Sequence, residues 1–523
     1  MFDIIFRGGT VVDGTGSAGR RADVGVLKDR ITAVGNLADA QSAQTFDVAG
    51  CVVAPGFIDV HNHSDGWLLK QPNFKSKTLQ GFTTEVLMSD GISYAPTTKA
   101  DAPQWIHYLR ALNGLQQADY RGWQTLDDYY QLLDRRTAQN VVAQIPYANL
   151  RVIASGWGTR VLDDVQIKMM RRMVEQGMAD GAVGTSTGLD YITQWYASTD
   201  ELVDVLSAMS PTRGLYVTHM RYKKGLLPAF REAVDIARRA NVPLHVSHLK
   251  GENERVATEV LDYIDREVVH QVDFSFDVYP YLPGSTMIHS MLPYDVWDDG
   301  PAAAAGRMSD SEVHARLELL LESQGRNNLE QIRLAWCLSK ANSQFQGAAL
   351  ADYVASSGKP PAEALCSLLQ EENLAALGVF HLGDDSIVEP FLKHDKYMMG
   401  SDGIFQPDGP VHPRQFGSAP RLLGPIVRDR RWMTLEAAVK KMTSIPAARF
   451  GLTDRGVVCT GAFADLAIFD PATITDLATF DDPRQSPLGI RHVAVNGVPI
   501  VVDGSAIDQM PTWPGRWLRY NAA

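Results

Sequence analysis

Residues 54 to 65, Ala54-Pro55-Gly56-Phe57-Ile58-Asp59-Val60-His61-Asn62-His63-Ser64-Asp65, decide the fold. Pro55 and Gly56 end whatever precedes them, and Phe57 to Val60 is a short apolar run that reads as a buried strand. His61 and His63 leave its end. Strand side chains alternate between faces, so residues two apart share one face and lie roughly 7 Å apart at the Cα level. That separation suits two imidazoles converging on one ion of the zinc type. On its own an H-x-H pair reads equally well as two polar loop residues, and matching donors further along the chain decide between the two.

Outward from this stretch, apolar strand-like runs alternate with helical ones, the pattern of parallel β/α units. Eight strands are predicted at 57–63, 82–88, 141–146, 182–187, 214–219, 243–248, 272–279 and 396–401. Helical stretches at 127–138, 163–179, 200–210 and 226–240 lie between several of them, with Thr199-Asp200-Glu201 a helix start. The expected fold class is therefore α/β, a TIM-like (β/α)8 barrel over 55–454 with its chemistry at the C-terminal ends of the strands. Residues 283–395 are too long for one connection. Pro293 to Gly300, the alanine-rich Pro301 to Ala305 and the helix-like 311–323 predict an inserted lid subdomain at about 283–345.

The two ends of the chain look alike. Ile4–Phe6, Thr10–Val12, Asp23–Leu27, Arg30–Val34 and Thr45–Val48 are strand-like at one end. Ala464–Phe469, Ile490–Val495 and Pro499–Val502 are strand-like at the other, with Asn496-Gly497 a strong hairpin turn. Neither end is long enough to bury a sheet alone, so 1–54 and 455–523 are expected to pair into one small β-sandwich.

Composition narrows the function classes. With 523 residues, 45% hydrophobic and 21% charged, the chain is an ordinary soluble globular protein. A net charge of −12 argues against nucleic acid as a partner, because phosphate contacts need clustered Lys and Arg. Four scattered cysteines, Cys51, Cys337, Cys366 and Cys459, form no C-x-x-C pair and fit a reducing compartment. No signal peptide and no membrane span are read from the sequence, so the expected location is cytoplasmic with no membrane partner. Oligomeric state is left open, a homo-oligomer included.

Further donors fall where a barrel would gather them. His219 ends the run 215–218 and His248 ends 244–247, both at C-terminal strand ends. Asp402 follows the strand 397–401, and Asp90 ends the second strand in Ser89-Asp90-Gly91. A carboxylate at 402 beside four imidazoles can ligate metal and shuttle protons; Asp90 can bridge two metals, ligate one, or shape its turn. His245 lies on the opposite strand face from His248 and reads as structural. His107, His270, His314 and His394 read as surface or core fillers.

The opening stretch resembles the first-strand motif of the amidohydrolase superfamily. Further stretches resemble the D-aminoacylases: Gly181 to Tyr191, Thr218 to Arg221, Val246 to Lys250, Asp277 to Thr286, Gly400 to Gly403, His412 to Arg414 and Gly461 to Pro471. The resemblance implies metal ligation by His61, His63, Asp90, His219, His248 and Asp402, with one or two Zn2+ or another divalent ion. It makes Asp402 the catalytic proton carrier and puts Lys250, Tyr191, Tyr279, Ser285 and Arg414 around a small-molecule N-acylated substrate. Two departures stand out. Asp90 occupies the place of the metal-bridging cysteine usual in the family, and Tyr147 stands where relatives often carry Gly-His-Gly. The expected activity is hydrolysis of N-acyl-D-amino acids. The alternatives are another amide, such as a cyclic ureide, an N-carbamoyl group or a peptide-like natural product, and a non-catalytic ligand-binding barrel.

Overall fold

The computed structural model describes residues 1–323, 328–381 and 385–520. Residues 324–327, inside the expected lid, and 521–523, at the end of the expected sandwich, lie outside the described residues, as do 382–384.

Eight parallel strands form the centre. They are Phe57–Asp59, Phe82–Val86, a third strand in two pieces (Asn140–Val142 and Ile145–Pro146), Gly184–Gly188, Leu215–His219, Leu244–Val246, Phe274–Val278 and Tyr397–Met399. The first piece of strand 3 pairs with strand 2 and the second with strand 4, and all the pairings are parallel. The amide of Val183 reaches the Ala143 carbonyl at 2.9 Å across the break. Strands 8 and 1 meet through Val60 N–H to Met399 O (3.3 Å), Asp402 N–H to His61 O (2.7 Å) and His63 N–H to Gly403 O (3.1 Å). Those last bonds place the two segments that carry His61, His63 and Asp402 side by side.

Why these segments become strands and helices is local. The strands are rich in β-branched and aromatic residues on both faces, as a doubly covered parallel sheet requires. The helix Leu226–Ala240 buries Ala229, Phe230, Ala233, Val234 and Ala237, an i, i+3/i+4 stripe. The helix Asp164–Asp180 starts at Asp163, whose side chain accepts from Val165 N and Gln166 N, and ends at Gly181 with φ 103°.

Both chain ends contribute to one seven-stranded sheet, in which Leu466–Phe469 pairs with Val52–Pro55. A four-stranded sheet from the N-terminal residues packs on it around Ile4, Phe6, Val24, Val53, Leu466 and Ile468. Asn496 and Gly497 both have positive φ, 48° and 78°, as a two-residue hairpin turn needs.

Between strands 7 and 8 the chain builds a separate three-stranded antiparallel sheet, Gly284–Met287, Ala376–Phe380 and Ile332–Cys337, with helices around it. This insertion therefore runs to Phe380, past the boundary near 345 expected from sequence. The reason is a pairing of Gly284–Met287 with Leu377–Phe380, nearly a hundred residues on, which local signals do not carry. Among the described residues no helix is long and apolar enough to cross a membrane.

Candidate metal centre

Six side chains from five strand ends converge at the C-terminal mouth of the barrel. Their ligand atoms form three overlapping groups, each within 4.8 Å: His61, His63 and Asp90; His61, His248 and Asp402; Asp90, His219 and His248. Asp90 is central. Its Oδ1 lies 3.5 Å from His61 Nε2 and 4.0 Å from His248 Nε2, and its Oδ2 lies 3.8 Å from His63 Nε2. Asp402 Oδ1 lies 3.2 Å from His63 Nε2 and 3.7 Å from His61 Nε2.

Three of these residues sit in backbone conformations that side chains rarely adopt, with φ of 60° at Asp90, 37° at His248 and 48° at Asp402. Each is held by a bond. Gln194 donates to Asp90 O at 3.1 Å and accepts from Gly188 N at 2.8 Å, which pins the 88–91 turn. Asp277 Oδ1 accepts from His248 N at 2.9 Å. The His61 carbonyl accepts the Asp402 amide.

The pocket is buried but chemically unsatisfied. His61 is fully buried, yet neither of its ring nitrogens has a hydrogen-bond partner, and neither has Asp90 Oδ1. Stranding such atoms is costly unless a ligand completes them. Burial lowers the His61 pKa, but the carboxylates of Asp90, Asp277 and Asp402 outweigh it and raise the value to about 10. Burial, then His219 and His61, push His248 the other way, to about 3. Burial alone would raise the Asp402 carboxyl; the Arg414 guanidinium, then His63 and His61, hold it well below the usual carboxylate range. Four imidazoles and two carboxylates, with the His61 nitrogens and Asp90 Oδ1 unmet, are the donor set that imidazole- and oxygen-binding divalent metals take. The residues fit a metal centre.

A cavity of about 630 Å³ opens above these ligands, and Lys250, Tyr191, Tyr279 and Ser285 line it. Lys250 Nζ donates to Tyr279 Oη at 2.5 Å and to Leu282 O at 2.7 Å. Burial, and then Arg414, lower the Lys250 pKa to about 7. Two expected substrate contacts are already engaged. The Arg414 guanidinium is buried, lies 2.9 Å from Asp402 Oδ2 through Nη1 and donates to Ser285 O at 3.0 Å through Nη2, while Nε and Nη1 have no hydrogen-bond partner. The Ser285 hydroxyl donates to Gly378 O at 2.8 Å, so its proton is spent. His245 is structural, bonded to Ser275 Oγ at 2.8 Å and Asp277 Oδ2 at 2.9 Å. Tyr147 opens the helix Tyr147–Ser155 directly after the third strand and donates to Glu201 Oε1 at 2.7 Å, a carboxylate that also takes Arg151 Nε at 2.9 Å.

Two acids escaped the sequence reading. Asp190 Oδ2 lies 3.2 Å from His219 Nε2, and Asp277 Oδ2 lies 3.6 Å from His61 Nδ1. Strand alternation could have found Asp277, which shares a face with Ser275 and Tyr279 on strand 7. Nothing local marks Asp190.

The chain is similar to known proteins along nearly its whole length. The amidohydrolase family model matches residues 44–288 and 391–501. The D-aminoacylase of Alcaligenes xylosoxydans xylosoxydans is 36% identical over 504 residues, 95% of this chain and 94% of that protein. The N-acyl-D-glutamate deacylase of the same organism is 34% identical over 527 residues, covering 100% and 97%. A solved N-acyl-D-glutamate deacylase from Bordetella bronchiseptica superposes with a TM-score of 0.84 at 32% identity, covering 99% of each chain. That structure holds zinc and a phosphonate mimic of the tetrahedral intermediate. The chain belongs to the amidohydrolase family. Within it, the chain is a metal-dependent hydrolase of carbon–nitrogen amide bonds, of the N-acyl-D-amino-acid deacylase type.

Proposed function

We propose that this chain removes the acyl group from N-acyl-D-amino acids, releasing a carboxylate and a free D-amino acid. The observation that carries the reading is the convergence of six donors, with His61 and Asp90 unsatisfied, beneath a cavity walled by Lys250 and Tyr279. His61, His63 and Asp402 would hold one divalent ion, and His219, His248 and Asp90 a second. When bound, Zn2+ lowers the pKa of a water towards about 7 and polarises a carbonyl oxygen.

The chain's own groups do the rest. Asp402 is kept ionised by Arg414, so it accepts the proton of the attacking water through Oδ1 and returns it to the leaving amine nitrogen. Lys250 and Tyr279 receive the substrate α-carboxylate, whose charge favours the protonated amine of Lys250 that burial disfavours. Arg414 holds the charge of Asp402 beside the reacting centre. The barrel and its terminal sheets hold these groups, and the 284–380 insertion walls the cavity through Phe380 and Gln331.

The test combines elemental analysis of the purified protein with a panel of N-acetyl-D- and N-acetyl-L-amino acids and hydantoins. Bound divalent metal with turnover confined to the D-acyl compounds is the expected result. Turnover of hydantoins alone would replace the substrate class, and no metal with no hydrolysis would overturn the reading.

A further inference from the structure

The two nitrogens of His219 face different partners. Nδ1 points into the ligand cluster, 3.0 Å from His248 Nε2, while Nε2 meets Asp190 Oδ2 at 3.2 Å. A neutral imidazole carries one proton, and a carboxylate on one nitrogen draws that proton to itself, which leaves the other lone pair free for a metal. Asp190 is only 7% exposed, and its oxygens also accept the Lys223 amide at 3.3 Å, from the turn that follows the His219 strand. Strands 4 and 5 are thus tied at this carboxylate.

The tie extends into the insertion. Tyr294, which lies in the 284–380 segment, donates its hydroxyl to the Asp190 carbonyl at 2.8 Å and stacks on Trp195 with centroids 4.5 Å apart. Lys223 Nζ donates to Ser290 O at 2.9 Å, a second bond from the insertion to the same turn.

We propose that Asp190 is a positioning residue: it holds His219 with its proton on Nε2 and its Nδ1 lone pair toward the metal, and Tyr294 holds Asp190, so the insertion helps set the metal site. This rests on the reading of His219 as a metal ligand. It adds a function for a carboxylate that touches no reacting atom, and gives the insertion a part in metal binding besides walling the cavity.

The experiment measures Zn2+ affinity of the full-length chain by competition with a chromogenic chelator and records the visible spectrum after Co2+ exchange. Asp190→Ala is expected to weaken binding about 10–100-fold and to change the Co2+ spectrum, with no matching change in the unfolding midpoint measured without added ion. Asp190→Asn, which keeps a carbonyl acceptor for the Nε2 proton, is expected to lose less, and Tyr294→Phe less again. Wild-type affinity and spectrum in Asp190→Ala would overturn the proposal; should that variant fail to fold, Asp190→Asn decides it on the same readouts. An unchanged Tyr294→Phe would overturn the insertion's part. A wild-type chain that binds neither ion would instead overturn the metal reading itself, which separates the two failures.

Discussion

The mouth and the floor of the barrel are both buried and both polar, yet they satisfy their polar atoms differently. At the floor, where the terminal sheet meets the barrel, Asp465 pairs with Arg455 and accepts from Asn140 Nδ2 at 3.1 Å and Asn496 N at 2.7 Å. Asn496 closes the circuit by accepting from Arg455 at 2.8 Å and donating to Asn140 Oδ1 at 2.8 Å. At the mouth, His61 and Asp90 keep ring nitrogens and a carboxylate oxygen without partners. A buried network that closes on itself supports the fold; one that leaves valences open waits for a ligand.

The sharpest break of this contrast is at Asp402. Asp402→Asn removes the proton acceptor but keeps a similar volume, so kcat/KM is expected to fall about 10²–10⁴-fold, and because it also leaves the buried Arg414 guanidinium without its carboxylate the unfolding midpoint should fall as well. Steady-state kinetics on the best N-acyl-D-amino acid, beside thermal unfolding, checks both halves. Retention of most of the activity would remove Asp402 from the chemistry.

The floor is expected to respond in stability alone. Arg455→Met strands the Asp465 carboxylate in a buried setting, which costs about 3–5 kcal/mol. Urea unfolding should show that loss, while the folded fraction keeps wild-type metal affinity. A drop in metal affinity on the scale of a ligand substitution would show that floor and mouth are one unit.

Much of the mouth was legible because its donors sit at the ends of strands. Most of the barrel strands announce themselves as short apolar runs, Gly184–Gly188 being made of Gly, Thr and Ser instead, and His61, His63, His219, His248 and Asp402 each lie at or just past a strand end. Periodicity carries that information in a window of a few residues. What escaped depends on distance in the chain. The Arg414–Asp402 pair and the Ser285 bond to Gly378 are tertiary, and from sequence both side chains look free for a substrate. The end of the insertion was missed for the same reason, since its closing strand pairs across nearly a hundred residues. Asp190 drew no role from sequence, because only the fold sets it against His219.

Lys250 tests the cavity wall rather than the metal. Lys250→Met keeps the apolar stem but deletes the charge, so kcat/KM is expected to fall about 10–100-fold, mostly through KM, as loss of a hydrogen bond to a charged group predicts. A substrate analogue with its α-carboxylate amidated should be hydrolysed equally by the wild type and the variant. A discrimination that survived the substitution would move the carboxylate site elsewhere.

The smallest expected effect lies between the two regions, at Glu85 on the second strand. Its carboxyl accepts from Gln139 Nε2 at 2.7 Å and is otherwise enclosed. Burial raises its pKa from 4.5 to about 7, Lys77 opposes that rise, and Asp59 adds to it. A raised folded value means the native state binds the proton more tightly than the unfolded chain does. The stabilisation from that proton is complete below about pH 4.5 and is lost as pH rises through about 7. Between about pH 6 and pH 8 the wild type should therefore lose about 1 kcal/mol that Glu85→Gln, which is neutral throughout, does not lose. Urea midpoints at the two pH values for both proteins measure the difference. Parallel pH profiles would mean that Glu85 is ionised in the folded barrel, and that its charge is met by Lys77 in the same closed manner as the floor.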